Sequence, residues 1–209
     1  MSAPNGGTAR GTPGDSKAVP WLPPRQGCEY TAFWCEENIA RFLSRPELVG
    51  REAWGLVISN ADRSFGMFHQ RAGRGDSGEV SWDYHVAALI RDESGLLVCD
   101  LDSRLAFPCA AARWLELSFD GGLPASMAPK FRLVEASNYV NELSSDRSHM
   151  RGPDGNWNAP PPPWPMMGEG RPNNLMDWID MDRAEPGKVL DRATFAALVG
   201  ATGQTGSRG

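Results

Sequence analysis

The clearest pattern in the chain runs through residues 80–90. Trp82, Tyr84, Val86, Ala88 and Ile90 alternate with Ser81, Asp83, His85, Ala87 and Leu89, which predicts a strand with two distinct faces. Residues 91–95 are turn-forming, and 96–102 return as a second strand, giving a hairpin centred near Glu93. The apolar run 55–59, ended by Asn60, predicts a buried strand, with 65–70 as its partner across the turn at 60–62. A further strand is expected over 131–136. Helical spacing marks 30–43: Thr31 suits the cap, Glu36 and Glu37 the first turn, and Ile39, Phe42 and Leu43 form the apolar stripe before Ser44-Arg45-Pro46 stops it. Residues 110–119 predict a second helix with Trp114, Leu115 and Phe119 inward. Shorter helices are expected after Ser137, over 174–179, and from a cap at Asp191 to Gly200. These elements predict one α/β (α+β) domain, residues 27–200, built on a mainly antiparallel sheet flanked by helices.

Between these elements lie stretches without periodicity. Residues 1–26 read as a disordered N-terminal tail, since Gly, Ser, Pro, Ala and Thr dominate its first nineteen positions and bury too little to offset ordering entropy. Residues 201–209 read as a flexible C-terminal tail. Residues 144–172 form a long loop whose Trp and Met content favours packing over disorder, and a loop of that length in a compact domain is usually functional.

Composition narrows the functional classes. The 209 residues carry a net charge of −5 and no Lys/Arg cluster, which argues against a nucleic-acid surface. No apolar run approaches membrane-spanning length, and the N-terminus lacks the apolar core of a secretory signal, so a reducing, cytoplasmic or nuclear, location is expected. Cys28, Cys35, Cys99 and Cys109 have no C-x-x-C spacing, and with three histidines in the chain no metal site is expected.

The candidate chemistry is that of a thiol. Cys35 sits in the first turn of its helix, on the inward face, where unpaired N–H groups and the positive dipole end favour a thiolate. A cysteine in such a place is also commonly a small buried hydrophobe. The hairpin decides between the two readings, because it brings His85 within cross-strand reach of Asp100 and Asp102. A cysteine, a histidine and a carboxylate are the parts of thiol catalysis: base, tautomer-holding anion and nucleophile. Strand register, which sequence does not fix, decides which carboxylate serves.

Several blocks carry a resemblance: Tyr30-Thr31 with Cys35-Glu36-Glu37-Asn38; Trp82-Asp83-Tyr84-His85-Val86; Asp100-Leu101-Asp102; Phe107-Pro108-Cys109; Ser145-Asp146-Arg147-Ser148-His149-Met150; Gly155-Asn156-Trp157; and the four prolines 160–163. In this order, from about Gly27 to Gly200, they resemble the protein N-terminal glutamine amidohydrolases. The resemblance implies a monomeric cysteine hydrolase of papain/transglutaminase-like architecture, free of cofactors. It implies protein or peptide substrates with a free N-terminal Gln, converted to Glu with release of ammonia to create a degradation signal. It puts the nucleophile on Cys35, the base on His85 and the carboxylate on Asp100. Phe33 departs from the pattern, standing where a second cysteine is expected.

Glu36, Glu37, Asp83 and Asp146 are acidic candidates for the substrate's α-ammonium. His149 is an alternative base, although the hairpin favours His85; His69 reads as structural. Trp82 and Tyr84 alternate with His85 and are expected to face away from it into the core. Two other functions fit the same residues. A related transglutaminase-like or proteolytic enzyme would use the same parts. Alternatively, the proline run with Trp164 could be an exposed polyproline ligand for a partner, against its reading as a strap packed on the core.

Overall fold

In the computed structural model, described for residues 19–119 and 127–201, the chain forms a mixed α/β domain. Its elements are α1 (Cys35–Leu43), β1 (Ala53–Ser59), β2 (Phe65–Met67), β3 (Val80–Trp82), β4 (Tyr84–Asp92), β5 (Gly95–Cys99), β6 (Cys109–Ala110), α2 (Ala111–Phe119), β7 (Lys130–Glu135), α3 (Ala136–Glu142), α4 (Leu175–Ile179), β8 (Lys188–Leu190) and α5 (Arg192–Ala201). Six strands pair antiparallel in the order β6-β5-β4-β1-β7-β8, while β2 and β3 form a separate ribbon.

Both faces of the sheet are covered, which explains why β1 and β4 read as nearly continuous apolar runs. Val57, Tyr84, Val86, Ala88 and Ile90 pack with α1, α3 and α4. Leu56, Ile58, Ala87 and Leu89 pack on the opposite face with Trp114, Leu115 and Phe119 of α2 and Phe195 of α5. Gly55 lets Tyr139 lie against β1: a Cβ there would sit 2.1 Å from the ring, whose hydroxyl donates to Glu36 O at 3.1 Å. The sheet thereby fixes the height of the first turn of α1.

Four local expectations are corrected. Thr31 does not cap α1. The helix begins four residues later, behind Trp34, because Asn38 reaches back and clasps the Thr31 amide and carbonyl, each at 2.8 Å. Phe33, at φ 70°, makes the sharp turn into the helix. The 65–70 segment pairs with β3 instead of β1, whose edges are taken by β4 and β7. The expected 80–90 strand breaks at Asp83, where the Asp83 carboxylate accepts the Tyr84 N–H at 2.9 Å and a ladder position is lost. Ser137 does not cap α3, which starts behind Glu135 without a side-chain cap. Asp191 does cap α5, accepting the Thr194 N–H at 2.7 Å.

At the N-terminal edge, residues 19–26, expected as part of the tail, lie against the core: Val19 is buried, and the Arg51 guanidinium stacks 3.7 Å over Trp21. Most of the expected tails, 1–18 and 202–209, lies outside the described residues. The long loop has one 3₁₀ turn, Ser148–Met150, and is held by side chains. Trp34 donates to Pro160 O at 2.9 Å; Arg147 donates to Pro162 O and Trp164 O at 3.3 and 2.8 Å. The proline run is therefore tied to the domain through the Pro160 and Pro162 carbonyls, with Pro162 buried and Pro160, Pro161 and Pro163 exposed.

Candidate active site

Cys35 enters the site at the start of α1, where no side chain caps the first turn and its amide groups have no partner within the helix. His85 enters from the start of β4. Together with Phe33, Trp82, Asp83, Tyr84, Asp102, His149, Met150 and Asn158, they line one cavity of about 210 Å³. That is smaller than the roughly 300–1,000 Å³ usual for drug-sized ligands, and it suits a single side chain. A larger hollow of about 650 Å³, near Val49 and Trp54, lacks a nucleophile with a base.

The break at Asp83 shifts the parity of what precedes it. Tyr84 faces the α1 side, as expected, but Trp82 does not: its ring stacks on His85, 5.8 Å between centroids and 16° from parallel. Phe33 meets Trp82 edge-on at 6.4 Å. The imidazole is thus held flat against an indole at the cavity wall.

Behind it, His85 Nε2 lies 3.1 Å from Asp100 Oδ1, both groups being buried. Asp100 is fully engaged, accepting from Trp114 Nε1 at 3.2 Å, Gln70 Nε2 at 3.4 Å and the Asp102 N–H at 3.0 Å. The hairpin register ends at Ala88↔Cys99, and Asp100 and Asp102 have the same parity beyond it. Parity therefore does not separate them; hydrogen bonding does. Asp102 accepts from Tyr30 Oη at 2.6 Å and faces the cavity, while Asp100 orients the imidazole. Their ligand atoms and that of His85 lie within 4.8 Å of one another, a grouping that could suit a cation. The N–H donors converging on Asp100 instead fit a carboxylate serving a histidine.

Burial alone would lower the His85 imidazolium, but the charge and hydrogen bond of Asp100 raise it above its ordinary value. Burial would likewise raise Asp100, yet His85, Trp114 and the Asp102 N–H hold its carboxyl below the usual range. Both shifts show Asp100 stabilising the imidazolium that forms when His85 takes up a proton. Since Nε2 faces Asp100, Nδ1 is the nitrogen left for the thiol. The thiol itself differs from expectation. Burial, and then the Glu36 carboxylate, push Cys35 well above its ordinary range, with the Val86 backbone acting in the opposite direction. The helix start does not make a resting thiolate here; the sulfur needs a base.

The acidic candidates separate by position. Glu37 is buried away from the cavity, paired with Arg147 through two 2.7 Å contacts and accepting from Trp164 Nε1 at 2.8 Å. Asp146 is exposed and anchors its own loop, accepting from the Ser148 N–H at 2.9 Å and Asn173 Nδ2 at 2.6 Å. Of Glu37, Asp83 and Asp146, Asp83 alone lines the cavity. His69 lies outside it, in a left-handed turn beneath the loop at 77–78. His149, an alternative base at the sequence level, stands in the cavity wall. Gln70 and Trp114, which orient Asp100, were not legible as site residues; only the short β2 region and the inward stripe of α2 hinted at their burial.

Comparison with known proteins places the chain in a family. A family described as N-terminal glutamine amidase matches residues 30–199. The human protein N-terminal glutamine amidohydrolase is 37% identical over 171 residues, covering 78% of this chain and 83% of its own. The Caenorhabditis elegans protein of that name is 34% identical over 177 residues, 81% and 94% of the two chains, and that of Drosophila melanogaster 35% over 186 residues, 83% and 89%. By this span and these identities, the chain belongs to the N-terminal glutamine amidase family of hydrolases.

Proposed function

We propose that this chain hydrolyses the side-chain carboxamide of an N-terminal glutamine, releasing ammonia and leaving glutamate. The observation that supports it most is the meeting of Cys35 with the Asp100-held His85 at one small cavity, within a chain whose relatives bear that activity in their names. Cys35 passes its proton to His85 Nδ1 and attacks the carboxamide carbon. The first-turn amide groups of α1 take up the developing oxyanion. The imidazolium, steadied by Asp100, protonates the departing nitrogen, and ammonia leaves a γ-glutamyl thioester. His85 then activates water, which opens the thioester and restores the thiol. The product terminus is glutamate, which would serve as a degradation signal. A monomer working in a reducing compartment fits the need for a free thiol.

The test is ammonia release from matched peptides beginning Gln, Asn or acetyl-Gln, and one with Gln inside. Asn is shorter by one bond, about 1.5 Å, and misplacement of about 1 Å can cost about a hundredfold. The Gln-initiated peptide alone should react well, and Cys35→Ala should abolish the reaction. Comparable rates on internal Gln, or incorporation of amines in preference to water, would point to a transglutaminase; backbone cleavage would point to a protease.

A further inference from the structure

Opposite the base, a second buried network borders the cavity, and the reaction above leaves it unused. Glu36, next to the nucleophile, is fully buried. Its Oε2 accepts the Tyr84 hydroxyl at 3.0 Å and the Cys35 thiol at 3.7 Å; its Oε1 has no hydrogen bond among the described residues and lies 3.5 Å from His149 Nε2. Tyr84 Oη also lies 3.1 Å from His149 Nε2. A carboxylate only accepts, so the single Tyr84 proton goes to Glu36, and the Tyr84 oxygen accepts from His149. Nε2 therefore carries a hydrogen. In the neutral ring the other nitrogen, Nδ1, is an acceptor. It is buried and without a hydrogen-bond partner among the described residues. Edge-on packing against Trp34 at 5.8 Å and Tyr84 at 6.2 Å fixes the ring.

A buried acceptor left empty at a cavity wall calls for a donor from the ligand. The cavity's charge says which kind. Asp83 and Asp102 line it, Glu36 stands behind His149, and neither Lys nor Arg is among its lining residues; the nearby Arg147 is neutralised by Glu37. That field favours a cation. On the amidohydrolase reading, on which this inference rests, the substrate brings one cationic donor, its α-ammonium, a few bonds from the carboxamide. We infer that His149, backed by Glu36 and Tyr84, receives the substrate α-ammonium at Nδ1 and so sets the requirement for a free N-terminus. Acylation removes that charge and two of the three N–H donors.

The experiment crosses one enzyme change with one substrate change. His149→Gln keeps a polar group toward Tyr84 and Glu36 but offers nothing at the Nδ1 position; His149→Asn keeps an acceptor there. The substrates are a Gln-initiated peptide and the same peptide with the α-amino group replaced by hydrogen. Wild-type protein should prefer the amino substrate in kcat/KM, and His149→Gln should shrink that preference at least tenfold, mainly through KM, with His149→Asn intermediate. A preference unchanged in His149→Gln, both substrates losing equally, would overturn the inference and leave His149 a structural residue. If His149→Gln turns over too slowly to assay, the same ratio is read from Kd of the two peptides for Cys35→Ala with and without His149→Gln, with the same two outcomes. Wild-type protein that releases no ammonia from the Gln peptide would instead sink the amidohydrolase reading and this inference with it.

Discussion

Arg147→Met should be among the most damaging single changes outside the reacting groups. The Arg147 guanidinium and the Glu37 carboxylate meet through paired 2.7 Å contacts, with side-chain exposures of 9% and 0%. Removing the cation leaves a carboxylate in the interior with Trp164 Nε1 as its remaining donor. Breaking a buried pair from one side costs about 3–5 kcal/mol. The carbonyls of Pro162 and Trp164 also lose their donor, each hydrogen bond being worth about 1 kcal/mol net. For a domain of this size, each kcal/mol lowers Tm by roughly 2–4 °C, so a fall of about 10 °C or more is expected. Glu37→Leu combined with Arg147→Met removes both charges and should recover much of the loss, because a well-packed apolar replacement of a buried pair is often neutral. Urea unfolding followed by tryptophan fluorescence, on wild type, both single variants and the double, gives the cycle. A single-variant loss below about 1 kcal/mol, or a double variant no better than Arg147→Met, would refute the reasoning.

Asp100→Asn keeps the shape but reverses the hydrogen-bond demand on His85 Nε2 and removes the charge that steadies the imidazolium; kcat/KM should fall on the order of a thousandfold or more. Asp102→Asn should cost less, and the opposite ranking would show that the wrong carboxylate has been paired with His85. The same pair predicts a pH profile for stability. Asp100 is held below its ordinary 3.8, so its contribution is complete above 3.8 and is lost as pH falls through its lowered value. His85 is raised above 6.5, so its contribution is complete below 6.5 and is lost as pH rises through its raised value. The stability advantage of wild type over His85→Gln/Asp100→Asn should therefore be flat and greatest between pH 3.8 and 6.5, and shrink on either side. An advantage that kept growing above neutrality would contradict the pairing.

What the sequence made legible follows the range of the interactions involved. The turn of the β4–β5 hairpin near Glu93, the stripe of α1 and the Asp191 cap rest on neighbours in the chain and stand as expected, although β4 starts at Tyr84 and β5 ends at Cys99. Cys35, His85 and the alternatives Asp100 and Asp102 were legible because one hairpin and one helix start position them, and the choice of Asp100 rested on the family resemblance. The misplaced features depend on side-chain contacts that periodicity does not encode, some local and one far along the chain. Trp82 turns onto His85 because the strand breaks at Asp83, a residue poorly suited to a strand interior but equally at home on an exposed strand face. Thr31 loses the cap to an Asn38 side chain that folds back on it. His149 reaches the cavity through a loop with no period, carried there by Arg147 locking onto Glu37 across 110 positions. The rise of the Cys35 thiol comes from burial and Glu36, against the helix-start effect that the sequence suggested.

Residues 35, 36 and 37 of α1 face three separate environments: Cys35 the reaction cavity, Glu36 the Tyr84–His149 network, Glu37 the Arg147 anchor of the loop. Successive helical positions are about 100° apart, so one turn distributes three duties by angle alone. The helix acts as a rotary index. A single residue inserted after Trp34 would advance the phase by one step: the new side chain would face the cavity, the thiol would enter the Tyr84–His149 network, the Glu36 carboxylate would face the loop's arginine, and Glu37 would take the place from which Asn38 clasps Thr31. Chemistry, recognition and the closing of the cavity would then fail together. A substitution here removes one duty, whereas a change of length displaces all three.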